Sequence, residues 1–190
     1  MTTPTLTPRA EREQRTFRTL LDTMARPGTL RTLPLTEPSV FNALVAIAEA
    51  LVDHEVTFAV YPERLDLVDT ILRQTGSRAA APDRADYVFT EPEALAEALR
   101  EAKEGSPEYP DHGATVICRV TSLTQGEALA LSGPGIRHTA LINVDGFGPE
   151  ARAAFAERNA LPPLGLDLVL VEPAGCIVCL GRYTRIQEEN

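Results

Sequence analysis

A chain of 190 residues, 44% of them hydrophobic and 24% charged, fits one domain or at most two small ones, with enough apolar surface for a core that needs no disulfide or metal. Its formal net charge of −9 argues against wrapping nucleic acid, because phosphate backbones are bound by basic surfaces. No apolar run approaches the ~20 residues of a membrane span. The N-terminus is polar with no hydrophobic secretion segment, and three cysteines cannot all pair, so the expected location is the reducing cytoplasm.

Thr7-Pro8 supplies a capping residue and a proline at the first helical position, which predicts a helix running to about Ala25. Phe17, Leu20, Leu21 and Met24 recur at i, i+3, i+4 and i+7 and should form its apolar face. Arg18, Asp22 and Arg26 lie four apart and can form a ladder of alternating charge. Pro27-Gly28 stops the helix. Thr29 to Leu35 reads as extended. A second helix follows Pro38-Ser39, with Phe41, Leu44, Val45, Ala48 and Leu51 on one face. Val56 to Tyr61 is β-rich. Pro62 is expected to start a helix carrying Leu65, Val68 and Leu72 that ends at Gly76. Tyr87 to Phe89 reads as a short strand, and Pro92 opens a helix with Leu95 and Leu99 facing inward.

The segment from Gly105 to Gly113 is a polar, proline-containing loop. Beyond it, Ala114 to Val120 and Ala128 to Leu131 are expected to form an antiparallel pair joined around Gln125-Gly126. Thr139 to Val144 is a third strand and Pro149 opens a short helix. Leu166 to Val171 and Cys176 to Leu180 form a hairpin across Glu172-Pro173-Ala174-Gly175. Helices alternating with strands predict a single α/β domain over residues 1–190, with a mixed sheet flanked by helices.

No Ser/His/Asp or Cys/His constellation stands out, so no catalytic residue is assigned. Cys176 and Cys179 form a C-x-x-C pair, but in a strand positions i and i+3 point to opposite faces, so the pair reads as small buried hydrophobes. His54, expected at a helix end, and the loop residues His112 and His138 have no partner at zinc spacing, so no metal is expected. Of the three, only His138, close to a glycine turn, is a candidate site residue. That turn, Ser132-Gly133-Pro134-Gly135, is either a tight structural turn or an anion nest. It follows a strand without opening a helix, so it matches neither the P-loop nor the dinucleotide fingerprint. Arg182, Thr184 and Arg185 either grip a phosphate or a partner's carboxylate or lie in a solvated tail. Asp167 is either a strand-end acceptor or a site group. Seventeen of the eighteen basic residues are arginines, six of them before residue 32; this reflects either composition bias or bidentate contacts to anions.

Three segments together resemble the PhnH family, the H subunits of the bacterial carbon–phosphorus lyase core complex. They are Phe17 to Gly28, then Gly113 through Ile136, then Pro163-Leu164-Gly165-Leu166-Asp167-Leu168 with the hairpin and Arg182-Tyr183-Thr184-Arg185. The family pattern usually ends in Pro-Arg-Thr-Thr, where this chain has Gly181-Arg182-Tyr183-Thr184. The resemblance implies a fold similar to the large domain of pyridoxal-phosphate-dependent transferases, a homodimer, and partners in the G, I and J subunits. It implies an accessory subunit, inactive alone, that supports formation of ribose 1-phosphonate 5-triphosphate from ATP and an alkylphosphonate.

Pyridoxal enzymes hold their cofactor through a lysine Schiff base. The sole lysine here, Lys103, lies among glutamates, so the fold is expected without the cofactor. The matched motifs make Arg18, Arg26, Gly28, Ser132, Gly133, Gly135, Asp167, Arg182, Thr184 and Arg185 the candidate ligand- or partner-binding residues. The alternative is a stand-alone binding protein or small enzyme for an anionic phosphate or phosphonate metabolite, with the glycine turn as nest and Arg182 and Arg185 as clamps.

Overall fold

The computed structural model describes residues 7–188. Helix α1 (Pro8–Ala25) begins where Thr7 Oγ1 accepts the Ala10 N–H at 3.2 Å. After the short strand β1 (Arg31–Thr32), Ser39 caps α2 (Val40–Leu51) by accepting the Asn42 N–H at 3.1 Å. Next come β2 (Thr57–Tyr61), α3 (Leu65–Thr75), β3 (Arg78–Ala79), β4 (Tyr87–Thr90) and α4 (Leu95–Glu101), the last preceded by a 3-10 turn at Pro92–Ala94. The C-terminal half contains β5 (Thr115–Arg119), β6 (Ser122–Ser132), β7 (Ala140–Asp145), α5 (Pro149–Arg158), β8 (Asp167–Val171), β9 (Cys176–Leu180) and β10 (Arg185–Glu188).

The main sheet has seven strands in the order β1-β9-β8-β5-β4-β2-β3. Strands β3, β2, β4, β5 and β8 run parallel, and β9 turns back antiparallel beside β8. Central parallel strands are buried on both faces, which is why Val116-Ile117-Cys118 and Leu168-Val169-Leu170-Val171 are continuous apolar runs. Alternate residues serve two cores. Ile117, Val169, Ile177 and Cys179 pack with Leu20, Leu44, Ile47, Leu67 and Ile71, beneath α1, α2 and α3. Val116, Cys118, Leu168 and Leu170 pack with Leu95, Leu99 and Phe155 of α4 and α5. A second, three-stranded antiparallel sheet, β10-β6-β7, contributes Leu129, Leu131, Ile142 and Val144 to that same core.

The α/β class and the mixed sheet agree with the sequence, but several local expectations are corrected. The segments 114–120 and 128–131 do not pair. β5 lies between β4 and β8, whereas β6 belongs to the second sheet. The chain changes sheets within two residues: the Val120 N–H donates to the Val171 carbonyl at 2.8 Å, and the Thr121 N–H donates to the Asp145 carbonyl at 2.8 Å. Gln125-Gly126 is a bulge inside β6, where Gly126 has φ 99° and a Cβ would lie 2.4 Å from the Val144 carbonyl oxygen.

In α1 the buried face is Thr16, Leu20 and Thr23, while Phe17 and Leu21 remain 46% and 58% exposed. Helix α3 starts at Leu65 rather than Pro62 and buries Leu67 and Ile71, leaving Leu65 exposed. α2 ends at Leu51, so His54 lies in a turn beyond the helix end. The tail reading of the C-terminus also fails: Thr184 is buried, and β10 pairs with β6 from Arg185↔Ser132 onward.

Candidate functional site

The three motif segments, far apart in sequence, meet in one cleft. Met24 and Pro27 from the end of α1, Pro134 from the glycine turn, Asp167 from the start of β8, and Tyr183 and Thr184 line a cavity of about 180 Å³. The glycines allow the approach. Gly135 has φ 83°, and a Cβ there would sit 2.6 Å from the Ala25 carbonyl oxygen and 2.8 Å from Pro27. A Cβ on Gly133 would meet the Tyr183 carbonyl oxygen at 2.6 Å, and one on Gly28 would meet the Ala140 Cβ at 2.7 Å. The turn closes on itself, the Ile136 N–H donating to the Gly133 carbonyl at 3.1 Å. Both glycines of the turn thus press against the protein's own backbone.

Asp167 and Arg182 form the polar centre of this region. One carboxylate oxygen of Asp167 accepts the Arg182 backbone N–H at 2.9 Å, and the other accepts the guanidinium at 2.8 Å. The second guanidinium nitrogen donates to the Pro110 carbonyl oxygen. Asp167 is therefore a strand-end acceptor, and Arg182 ties the end of β9 to β8 and to the loop before β5. Arg26 pairs with Asp22, whose other oxygen accepts the Arg31 guanidinium at 3.1 Å. Arg31 occupies the place that the expected ladder gave to Arg18, and Arg18 is exposed on α1. Ser132 is half-buried, Arg185 is exposed, and His138 lies exposed in the loop after the turn.

The cysteines carry no reactive pair. Cys179 is buried in the core beneath α1–α3 and Cys176 packs on the opposite face of the sheet. Burial pushes the thiols of Cys118 and Cys179 well above the ordinary range, so neither supplies a thiolate near neutral pH. Lys103 Nζ donates to the Asp86 carboxylate at 2.6 Å, immediately before β4, so the chain's single lysine is held in an ion pair rather than presented as a free amine. Among the described residues, no group of three or more His, Cys, Asp or Glu is placed to hold a metal ion, and no helix is long and apolar enough to cross a membrane.

Two features were not read from sequence. At the carboxyl ends of the parallel strands, where open α/β sheets commonly bind ligands, Glu91 bridges Arg64 at 3.0 Å and Arg119 at 3.3 Å. This cluster joins the ends of β2, β4 and β5, and Asp66 adds a second carboxylate, accepting from the Arg64 guanidinium at 2.7 Å. Its arginines are 27 or 28 residues apart from Glu91, so no local spacing shows it. The second feature is Asn159, buried at the end of α5; an asparagine just after a helix reads as an ordinary cap.

Residues 4–187 match the family of bacterial phosphonate metabolism proteins, PhnH. HtxG of Stutzerimonas stutzeri, named as a C-P lyase subunit protein, is 37% identical over 162 residues, covering 85% of this chain and 80% of the relative. The alpha-D-ribose 1-methylphosphonate 5-triphosphate synthase subunit PhnH of Rhizobium meliloti is 30% identical over 182 residues, covering 93% of this chain and 90% of the relative. With the match running from residue 4, ahead of α1, into β10, the chain belongs to the PhnH family of bacterial phosphonate metabolism proteins.

Proposed function

We infer that this chain is an accessory, non-catalytic subunit of a bacterial carbon–phosphorus lyase core complex. It serves organophosphonate breakdown with G, I and J partner subunits, at the stage that forms a ribose 1-phosphonate 5-triphosphate from ATP and an alkylphosphonate. The observation that carries the reading is the family match over residues 4–187. The geometry is consistent with it. The motif segments meet through the close backbone approach of the two turn glycines, and Asp167 and Arg182 are bonded to each other within the third segment. A homodimer is the proposed state of the chain away from its partners, and the cytoplasm its proposed location.

The fold is proposed to be similar to the large domain of pyridoxal-phosphate-dependent transferases but to work without that cofactor. Lys103 supports this, because its ammonium is committed to Asp86. Trapping of a borohydride-reduced pyridoxal adduct on Lys103 would overturn it.

Co-expression with the candidate G, I and J subunits, followed by light scattering, tests the assembly. The expected result is a stable complex much larger than the species this chain forms alone. A species unchanged by those partners, or turnover of ATP with methylphosphonate by the isolated chain, would sink the accessory-subunit reading.

A further inference from the structure

An edge strand offers unpaired N–H and C=O groups to another chain unless it is short, carries charge or proline, or is covered. Among the described residues the edges are β1 and β3 of the main sheet and β7 and β10 of the second. Three of them are blunted. β1 and β3 are two residues long and begin with Arg31 and Arg78, and the four-residue β10 begins with Arg185. β7 is different: its six residues, Ala140–Asp145, include no proline and no basic side chain.

On its inner side β7 pairs with β6 in unbroken register from Leu131↔Ala140 to Glu127↔Val144, and the bulge in β6 lies beyond that run. In an antiparallel pair alternate residues point their N–H and C=O at the partner and the rest point them away, so β7 has a second row of backbone groups directed outward. Ile142 and Val144 are buried in the core, whereas Leu141 is 67% exposed and Asn143 and Asp145 are exposed beside it. A regular, open edge that also carries a large exposed apolar side chain is a pairing site.

We propose that β7 pairs, edge to edge and antiparallel, with β7 of a second copy of this chain, so that three strands from each copy form one continuous sheet. The strand is complementary to itself about a two-fold axis. Opposed residues must lie on the same face of the joined sheet, and the register centred on Ile142 meets this while pairing the whole run 140–144. In that register Leu141 faces Asn143 of the second copy and lies on the diagonal from Leu141 of the second copy, within reach of a long side chain. Asp145 faces Thr139 of the second copy, with Arg137 of the second copy on the next diagonal, so the exposed charges at the two ends of the strand meet with opposite sign. The inference rests on the homodimer proposed above, for which it names the surface, and not on the accessory role.

The test is sedimentation equilibrium of the isolated full chain over the micromolar range, beside Leu141→Lys. The parent is expected to dimerise. Leu141→Lys should raise the dimer dissociation constant at least about tenfold with an unchanged circular dichroism spectrum, because the two-fold axis carries the substitution twice and sets like charges on one diagonal. Cross-linking tests the register and does not depend on how Leu141→Lys folds. Oxidation of an equimolar mixture of Leu141→Cys and Asn143→Cys chains should give a covalent dimer, and Asp69→Cys, exposed on α3 away from this edge, should not. A Leu141→Lys protein that dimerises like the parent, or a mixture that cross-links no more than Asp69→Cys, overturns the assignment of β7 and leaves the homodimer standing. A parent chain that stays monomeric overturns both.

Discussion

Single side chains hold together points distant in this chain. Asp86 accepts the Thr57 N–H and hydroxyl, each at 2.8 Å, and the Lys103 ammonium at 2.6 Å, so one carboxylate joins the starts of β2 and β4 to the segment after α4. Burial alone would raise the Asp86 pKa, but the Lys103 ammonium and the two Thr57 donors outweigh it, and the net shift is downward. A carboxyl whose folded pKa lies below its unfolded value, about 3.9, contributes stability that is complete above that value and lost as pH falls through the folded one. Urea unfolding from pH 6 down to pH 2 should therefore show Asp86→Asn destabilised at pH 6 by roughly 1–3 kcal/mol, with the gap to the parent closing below about pH 4. Parallel curves would show that the carboxylate charge is not what stabilises this corner. Asp167 makes a second clasp, and removing it leaves the largely buried Arg182 guanidinium with only the Pro110 carbonyl. Asp167→Ala should cost about 2–3 kcal/mol, less than a fully buried pair, seen as a lower Tm. Such roles are poorly legible in sequence. Asp167 at a strand start reads as an acceptor, but its donor lies 15 residues on, and the second acceptor of that donor lies 72 residues back.

At the scale of elements, the readable parts are those fixed by local chemistry. Thr7-Pro8 and Ser39 mark helix starts because capping is a contact within four residues, and Gly76 ends α3 in the left-handed region, φ 69°. The β8–β9 hairpin follows from two apolar runs around a Pro-Ala-Gly turn. The elements that sequence misplaces are those whose partners are chosen by tertiary packing. β5 and β6 are neighbours in the chain, but Thr121 turns its backbone toward β7, and the Leu123 N–H is held by the Glu172 carboxylate at 2.8 Å. β10 is too short and polar to announce itself, and it exists because β6 offers an edge. The glycine turn is the most exacting junction between elements. Gly135→Ala combines a positive φ with a 2.6 Å clash against backbone, so a loss of about 2–4 kcal/mol is expected from strain and overpacking. At Gly148, the N-cap of α5, a Cβ would meet no atom within 4 Å, and Gly148→Ala should cost no more than about 1 kcal/mol, the loss of a favoured N-cap residue. Equal Tm values for the two variants would refute the close-approach role of Gly135.

On the scale of the whole molecule, one face has no counterpart among the described residues. Phe17 and Leu21, four apart on α1, are exposed, while Met24, one turn on, packs partly against the core. Sequence periodicity joined them to Leu20, but only Leu20 is fully inside. The helix has a packed side on α2 and β9 and a second apolar stripe turned outward. The pair lies one turn before Met24, which lines the cleft with Pro134 and Tyr183, and Tyr183 is itself 43% exposed. Arg18 stands beside it with no carboxylate partner among the described residues. A surface of this kind fits a partner subunit that presents apolar side chains flanked by carboxylates, and on the accessory-subunit reading it is the proposed contact with another subunit of the complex. The double substitution Phe17→Glu and Leu21→Glu should leave the circular dichroism spectrum unchanged and Tm within a few degrees, because exposed positions seldom contribute more than about ±0.5 kcal/mol. The same variant should fail to co-purify with the G, I and J subunits that retain the parent chain, because two carboxylates would face an apolar, acidic partner. Retention equal to the parent's would place the assembly surface elsewhere on the molecule, and loss of the parent's own self-association in the variant would assign the stripe to a second copy instead.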